Sequence, residues 1–237
     1  MDAAMYKALS GAITQMRKLD VASQDLANVN TSGYKGQRLA FKEVLAPGSA
    51  AEARSGGFVA VGQQRTNFSQ GVHQSTGNPF HLAIDGEGYF VVETPRGERY
   101  TRSGAFTLAA DGTIITSQGE PLLSEGGAMQ ATGSKLEVGL DGTVRSENGE
   151  LGKLRIVRFV DDRQAAKEGA NLFRSEADNV EEIAAPRVAQ GNLEQSNVSS
   201  IDSMIAMITI QRQFDAYERA MKLMDGATQK MIADAAR

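Results

Sequence analysis

The sequence predicts an α+β protein in which long N- and C-terminal α-helices pair as a coiled coil, with a central all-β domain inserted between them. The first observation is that 23 of the 25 glycines and all five prolines lie between Gly33 and Gly191. The second is that eight of the nine methionines lie outside that region, in residues 1–28 and 204–231. Because glycine and proline interrupt helices while methionine favours them, two helix-forming ends flank a turn-rich middle.

Residues 1–30 are predicted to form an N-terminal assembly helix. Apolar side chains recur there at alternating steps of three and four residues, the spacing that places them along one side of a helix. Ala12 and Ser23 occupy two of these positions and weaken the stripe. Its large members, which we call the N-terminal seam, are Met5, Leu9, Met16, Leu19 and Leu26.

Residues 199–237 are predicted to form a C-terminal assembly helix, which Ser199 caps with Asp202 three residues later. Both terminal segments carry nearly balanced charge, so their apolar stripes are expected to meet other helices rather than anionic lipid. Packing within one monomer and packing between subunits both satisfy this pattern. The large members of the second stripe, which we call the C-terminal seam, are Met207, Ile210, Phe214, Tyr217, Met221, Met224 and Met231.

The middle of the chain is predicted to be a compact all-β domain over residues 76–179. The apolar run Tyr89–Val92 is typical of a strand, and Asp-Gly pairs are strong hairpin signals. One such pair belongs to an internal repeat, because Asp111-Gly112-Thr113 recurs thirty residues later as Asp141-Gly142-Thr143. Residues 31–75 and 180–198 have no sustained period and are expected to be extended connectors.

Composition excludes much catalytic chemistry. The 237 residues include no cysteine and two histidines, so thiolate metal sites, cysteine nucleophiles and polyhistidine metal centres are ruled out. A strand follows Gly86-Glu87-Gly88, where a phosphate-binding loop would need a helix N-terminus. We therefore predict no catalytic, cofactor-binding or metal-binding residues and no small-molecule substrate.

Charge and hydropathy also limit the partners. The net charge of −4 gives no sign of nucleic-acid binding. No apolar run reaches about 18 residues, and the N-terminus lacks the pattern of a cleavable signal peptide. We expect no nucleic-acid partner, no direct membrane insertion and no secretion by the general route.

Three stretches of the chain carry a resemblance to a known family. The pattern at the end of the first helix, with Leu-Ala-Asn followed by Thr, Gly, an aromatic residue and a base, is similar to a signature of the bacterial flagellar basal-body rod and hook family. The segment around Gly191 resembles the C-terminal module of that family, and residues 76–84 and 94–102 resemble its β-domain. The signature residues are Leu26, Ala27, Asn28, Thr31, Gly33, Tyr34 and Lys35 in the first segment, and Gly191, Asn192, Leu193, Ser196, Asn197 and Val198 in the second.

The resemblance implies a structural subunit, not an enzyme, in the rod that spans the periplasm and transmits torque from motor to hook. Its implied partners are copies of itself, other rod subunits and the flagellar type III export apparatus. A single β-domain implies a rod subunit of intermediate length, and the start Met5–Gly11 together with the modest length favours a proximal over a distal rod subunit. The alternative from another class is a coiled-coil-tethered adhesin or carbohydrate-binding module, which the absence of tryptophan and the 6% aromatic content disfavour.

Overall fold

The computed structural model describes residues 2–44, 58–131, 136–147 and 149–235. These residues form two compact units. The helical unit comprises described residues of 1–27, 37–65 and 199–237, and the β unit comprises those of 28–36 and 66–198. Residues 45–57 of the expected first connector, 132–135 and 148 of the expected β-domain, and 1, 236 and 237 at the chain ends lie outside the described residues.

The helical unit contains two helices and a two-stranded sheet. Helix α1 spans Asp2–Ala27 and helix α2 spans Ser200–Ala235. Strands β1 (Gln37–Val44) and β2 (Phe58–Thr66) pair with each other. The backbone N–H of Asp202 donates to the Ser199 hydroxyl at 3.3 Å, so Ser199 caps α2. Within the described residues, neither helix contains an apolar stretch that could cross a membrane.

The α+β class with a β-rich centre fits the structure, but the prediction that the two terminal helices pair as a coiled coil is wrong. A coiled coil would bury the large residues of both seams as knobs in holes. Instead, the buried side of α1 is made of Ala8, Ala12, Thr14 and Gln15, while Met16 of the N-terminal seam is 54% exposed. The buried side of α1 therefore consists mostly of small residues, and Gly11 on that side lies against Tyr217 of α2. The same unit also contains the β1–β2 sheet.

The β unit contains the expected central region, 76–179, together with strands from both expected connectors. Most of its strands are two to six residues long and are joined by tight turns. They are β3 (His73–Ser75), β4 (Leu82–Ile84), β5 (Tyr89–Thr94), β6 (Gly97–Thr101), β7 (Thr107–Leu108), β8 (Ile114–Ile115), β9 (Leu123–Ser124), β10 (Gly127–Ala128), β11 (Leu136–Val138), β12 (Thr143–Ser146), β13 (Gly149–Lys153), β14 (Ile156–Phe159), β15 (Ala166–Lys167), β16 (Leu172–Arg174), β17 (Val180–Glu182), β18 (Val188–Gln190) and β19 (Asn192–Glu194).

A six-stranded antiparallel sheet organises this unit in the order β15-β16-β6-β5-β14-β17. Strand β5 is buried on both faces, which explains its continuous apolar sequence. Phe90 and Val92 contribute to one apolar cluster, and Tyr89 and Val91 to the other. The second cluster is rich in aromatic rings, which meet at 4.5 to 6.2 Å between centroids.

The repeated Asp-Gly-Thr sequence folds twice into the same turn. Gly112 and Gly142 have φ of 85° and 83°. Each aspartate carboxylate accepts a hydrogen bond from the backbone N–H two residues on, at 3.0 Å from Thr113 and 3.2 Å from Thr143. Both turns lead into strands at positions that the sequence repeat indicates, β8 and β12.

Strands β18 and β19 join the C-terminal part of the β unit to its beginning. Strand β18 pairs antiparallel with β4, and β19 pairs antiparallel with β3. Residues 188–194 thus pair with the first strands of the β unit, and the register places Glu194 opposite His73.

Candidate functional site

The structure brings the two signature segments together within the β unit. The backbone N–H of Gly33 donates to the carbonyl oxygen of Glu194 at 2.8 Å, and that of Asn197 donates to the carbonyl of Tyr34 at 3.3 Å. Gly36 N–H also donates to the Asn197 side-chain oxygen at 2.8 Å. Residues 28–36 and 191–198, separated by more than 150 positions, are therefore one bonded structure, which we call the junction.

The first signature segment forms a tight turn in which one position requires glycine. Thr31 N–H donates to the Asn28 carbonyl at 3.1 Å, and Tyr34 N–H to the Thr31 carbonyl at 3.2 Å. Gly33 has φ of 66°, and a Cβ there would lie 2.3 Å from the backbone nitrogen of Ser103. Both the left-handed conformation and the close backbone approach require glycine at this position.

Tyr34 is almost completely buried, with 2% exposure. The Lys167 ammonium lies 3.5 Å from its ring centroid and donates to the Lys35 carbonyl at 2.9 Å. Asn171 donates from its side chain to the Ser32 carbonyl at 3.2 Å. The β15–β16 hairpin therefore fixes this segment from a second side.

The second signature segment supplies the side chains that fasten the junction. The Asn197 amide donates to the carbonyls of Asn67 at 2.7 Å and Ser69 at 2.9 Å, while its oxygen accepts from Gly36. Leu193 is 8% exposed and pairs in register with Gln74. Of the remaining members, Gly191 accepts from Thr76 N–H, Asn192 donates to the Gln190 carbonyl, and the Ser196 hydroxyl accepts from Val198 N–H.

A buried ion cluster of Lys35, Arg102 and Glu194 lies at the centre of the junction. The Lys35 ammonium donates to Glu194 Oε1 at 2.6 Å, and Arg102 Nη1 donates to Glu194 Oε2 at 3.1 Å. The side chains of Lys35 and Glu194 are completely inaccessible to solvent. Glu194 Oε1 also accepts from the backbone N–H of Gly71 at 2.8 Å. One carboxylate therefore joins three separate parts of the chain.

Burial and the Glu194 carboxylate shift the pKa of Lys35 in opposite directions. Burial holds the pKa of the Lys35 ammonium group below its ordinary value, and this effect is partly offset by the Glu194 carboxylate. The positive charge of Arg102 acts in the same direction as burial. Lys35 and Arg102 share the Glu194 carboxylate. The Arg102 Nε atom is buried and has no hydrogen-bond partner among the described residues. Removing the carboxylate would leave both cations without a counter-charge.

Sequence reasoning missed Glu194 and Arg102. A signal for Glu194 was present, because it is the only charged residue between Arg187 and Asp202, just as Lys35 is the only one between Asp25 and Arg38. A single charge in an uncharged, buried segment needs a partner of opposite sign. Arg102 carried no comparable signal, since charged residues are common around it.

The N-terminal seam is divided in the structure. Met5, Leu9 and Met16 are 47%, 45% and 54% exposed, whereas Leu19 and Leu26 are half-buried. The side of α1 that meets α2 contains Gly11, where a Cβ would lie 2.5 Å from Cε1 of Tyr217. The large apolar residues at the start of α1 consequently face away from that contact.

The C-terminal seam is partly covered along most of α2. Its members Met207, Ile210, Phe214, Tyr217, Met221 and Met224 are all half-buried, and Met231 is 51% exposed. The remaining signature residues Leu26 and Ala27 form the last two positions of α1.

A metal centre in this chain would require histidine and acidic side chains grouped around one point. Among the residues that the structure describes, no three or more acidic or histidine side chains are grouped as metal ligands. His73 lies 2.8 Å from the Gln70 amide, and His81 lies 2.8 Å from the Thr76 hydroxyl. The junction is an arrangement that fastens chain segments.

Family comparisons match three parts of the chain. Residues 5–35 match the flagella basal body rod protein model, residues 83–146 the flagellar hook protein FlgE/F/G D1 domain, and residues 189–234 the flagellar basal body rod FlgEFG protein C-terminal model. The first and third matches contain the two signature segments that meet at the junction.

Curated relatives match nearly the whole chain. The flagellar basal-body rod protein FlgF of Caulobacter vibrioides is 36% identical over 97% of this chain and 95% of its own length. The rod protein FlgG of Bacillus subtilis is 33% identical over 96% and 97%, and FlgF of Mesorhizobium japonicum is 28% identical over 91% and 90%. The chain therefore belongs to the flagellar basal-body rod protein family, as a structural protein of the flagellum that resembles FlgF more than FlgG.

Proposed function

We propose that this chain is a subunit of the proximal rod, which carries torque by packing the exposed apolar sides of its terminal helices against neighbouring subunits. Proteins of its family assemble with other flagellar rod subunits. Its similarity to FlgF proteins supports the proximal position. A subunit of FlgG type is the alternative, since FlgG of Bacillus subtilis matches almost as well.

The observation that carries this proposal is the exposed apolar side of α1. Met5, Leu9, Ile13 and Met16 follow one another at steps of four, four and three, so they lie along one side of the helix. Each is between 45% and 54% exposed. Burying the remaining surface of each would contribute on the order of 1 kcal/mol. Such a continuous apolar stripe is typical of an interaction surface.

The beginning of α2 provides a second surface of the same kind. Ile201, Met204, Ile205 and Ile208 are 69%, 52%, 58% and 57% exposed, and their spacing places them on one side of this helix. Two exposed apolar sides give one subunit the means to contact more than one neighbour, as a continuous shaft requires.

Replacing Leu9 by aspartate tests the α1 surface. Because Leu9 is 45% exposed, a carboxylate there reaches water in the free subunit but would be desolvated in an interface. We expect normal helix content by circular dichroism but few or no basal bodies with a rod beyond this subunit in electron micrographs. Arg17→Asp is the matched control, since it places the same group at an exposed polar position of α1. Complete rods with Leu9→Asp would exclude this surface from the interface.

We also propose that the subunit leaves the cytoplasm through the flagellar type III export apparatus. Membership of a family located in the flagellar rod supports this route. Fractionation of cells with and without a working export apparatus tests it, with a periplasmic protein of the general route as the control. We expect the subunit to remain in the cytoplasm only when the flagellar apparatus is missing, and unchanged export in those cells would contradict the route.

A further inference from the structure

The buried ion cluster connects parts of the chain that are made at very different times. Lys35 and Glu194 are 159 positions apart, and their side chains have no exposure to solvent. Glu194 also binds Arg102 and the backbone of Gly71. Since the N-terminal part of a chain emerges first during synthesis, both cations exist before their shared carboxylate does.

Without Glu194, the site would be electrostatically unfavourable. Lys35 would retain the carbonyl of Ser69 as an acceptor, and Arg102 would retain the carbonyls of Ile84 and Gly86. Neither set contains a negative charge, so burying the two cations together would leave like charges uncompensated in a region of low dielectric. Lys35 is therefore expected to stay in solvent until Glu194 arrives.

The hydrogen bonds around the ion cluster also form only when residues 192–197 are in place. Residues 192–194 form β19, which pairs with β3, and Gln195 N–H donates to the Val72 carbonyl at 2.9 Å. Asn197 then binds Gly36, Asn67 and Ser69. Until residues 192–197 are in place, segments 28–36 and 66–72 lack most of the bonds that hold them in the β unit.

We propose that the Lys35–Glu194–Arg102 cluster is a closure latch, which keeps the junction open until residues 192–197 dock and then locks the two signature segments together. All strands of the six-stranded sheet, from β5 to β17, lie within residues 89–182, so the sheet is expected to form before residues 192–197 dock. The β unit thus closes in two stages, first the sheet and then the junction. Before residues 192–197 dock, the contacts from the β15–β16 hairpin that remain available to the N-terminal segment are those of Lys167 and Asn171.

Pulse-labelling hydrogen exchange during refolding of the unaltered full chain tests the order of these stages. The reporters of the junction are the amides of Gly33, Gly36, Gly71 and Gln195, and the reporters of the sheet are amides in β5, β6 and β14. We expect the sheet amides to become protected first and the junction amides in a later, common phase. Protection of the junction amides before or together with the sheet would overturn the proposal.

Native-state hydrogen exchange of full-chain variants tests the electrostatic cause. Glu194→Gln should accelerate exchange of the junction amides by on the order of 100-fold, because two buried cations lose their counter-charge. Exchange in β5, β6 and β14 should change far less. Glu182→Gln is the matched control, since Glu182 also forms an ion pair with an arginine, Arg155, but its side chain is 62% exposed. Junction amides that exchange at the wild-type rate in Glu194→Gln would overturn the proposal.

The double variant Lys35→Met/Glu194→Gln separates charge from packing. Removing one of the two unpaired cations should slow junction exchange relative to Glu194→Gln alone, although a second buried residue has been changed. Effects that simply add would show that the residues act only through packing, and would contradict the latch. Because pulse labelling uses the unaltered chain, it decides the proposal even if a variant does not fold.

Discussion

At the residue scale, the turn between β15 and β16 contains backbone strain. Among the described non-glycine residues, Ala170 and Asn171 have positive φ, 45° and 58°. Asparagine tolerates this region, and here its side chain also binds Ser32 of the first signature segment. Alanine has no such compensation, so the turn is held in place by the strands and the junction around it.

We expect Ala170→Gly to stabilise the protein by about 0.5 to 1 kcal/mol. Glycine adopts positive φ without the steric strain of alanine, and this gain is larger than the cost of its greater conformational entropy in the unfolded state. Urea denaturation monitored by tyrosine fluorescence measures the change in the free energy of unfolding. Ala165→Gly is the control, since Ala165 has an ordinary φ of −80° and the change should destabilise. A loss of stability in Ala170→Gly would show that this turn is not strained.

The repeated turn gives a pH-dependent prediction. The backbone N–H of Thr113 donates to the Asp111 carboxylate and lowers the pKa of that group. A lowered folded-state pKa contributes stability that is fully present above the ordinary pKa of aspartate and is lost as the pH falls through the folded value. The difference in Tm between wild type and Asp111→Ala should therefore be largest near neutral pH and shrink below about pH 4.

Asp111→Asn is the control for this titration, because its amide oxygen accepts the turn hydrogen bond but cannot be protonated in this range. It should lie between wild type and Asp111→Ala near neutral pH. A difference between wild type and Asp111→Ala that stays constant from pH 7 to pH 3 would exclude the carboxylate as its source.

At the element scale, the close contact between α1 and α2 depends on Gly11. A Cβ at this position would lie 2.5 and 2.7 Å from ring atoms of Tyr217. Glycine is otherwise unfavourable inside a helix, by about 1 kcal/mol relative to alanine. The space for the Tyr217 ring explains why glycine stands at this position in α1.

Gly11→Ala should therefore destabilise the helical unit, whereas Gly226→Ala should stabilise it by about 1 kcal/mol, since nothing lies within 4 Å of a Cβ at Gly226. In a Tyr217→Ala background, Gly11→Ala should become stabilising as well. Thermal unfolding followed by circular dichroism at 222 nm gives the Tm of each variant and of the Tyr217→Ala background. Equal effects of Gly11→Ala in both backgrounds would exclude the contact with Tyr217.

The elements themselves could largely be predicted from the sequence. Segregation of glycine and proline located both helices, and the Asp-Gly pairs located two turns that the structure confirms as alike. The coiled-coil pairing was wrong because periodicity identifies an apolar side but not its partner. Small residues of α1 form the contact instead, and Met5, Leu9 and Met16 are left exposed.

The pairing of residues in the ion cluster could not be predicted from the sequence, for a different reason. Lys35 and Glu194 interact across 159 positions, and local patterns carry no information about such pairs. The signature segments were identified by resemblance, yet that they meet became evident only once β19 was seen to pair with β3. The uncharged surroundings of both residues indicated burial, and the fold supplied the partner.

At the scale of the whole molecule, the exposed apolar stripe of α1 is the surface that we propose to be buried on assembly. The β unit is tied together by its two apolar clusters and by the junction. A free subunit that leaves Met5, Leu9, Ile13 and Met16 half exposed has apolar surface to bury on assembly. We propose that other rod subunits cover this surface.

Site-specific photo-crosslinking in living cells tests that claim most directly. A photoreactive amino acid at Leu9 or Met16 should give adducts with flagellar rod subunits in cells that build rods, and none in cells in which rod assembly is blocked. The control position is Arg96, whose side chain is 69% exposed on the β unit. Adducts at Leu9 and Met16 that contain rod subunits would support an interface on this side of α1, and their absence in rod-building cells would contradict it.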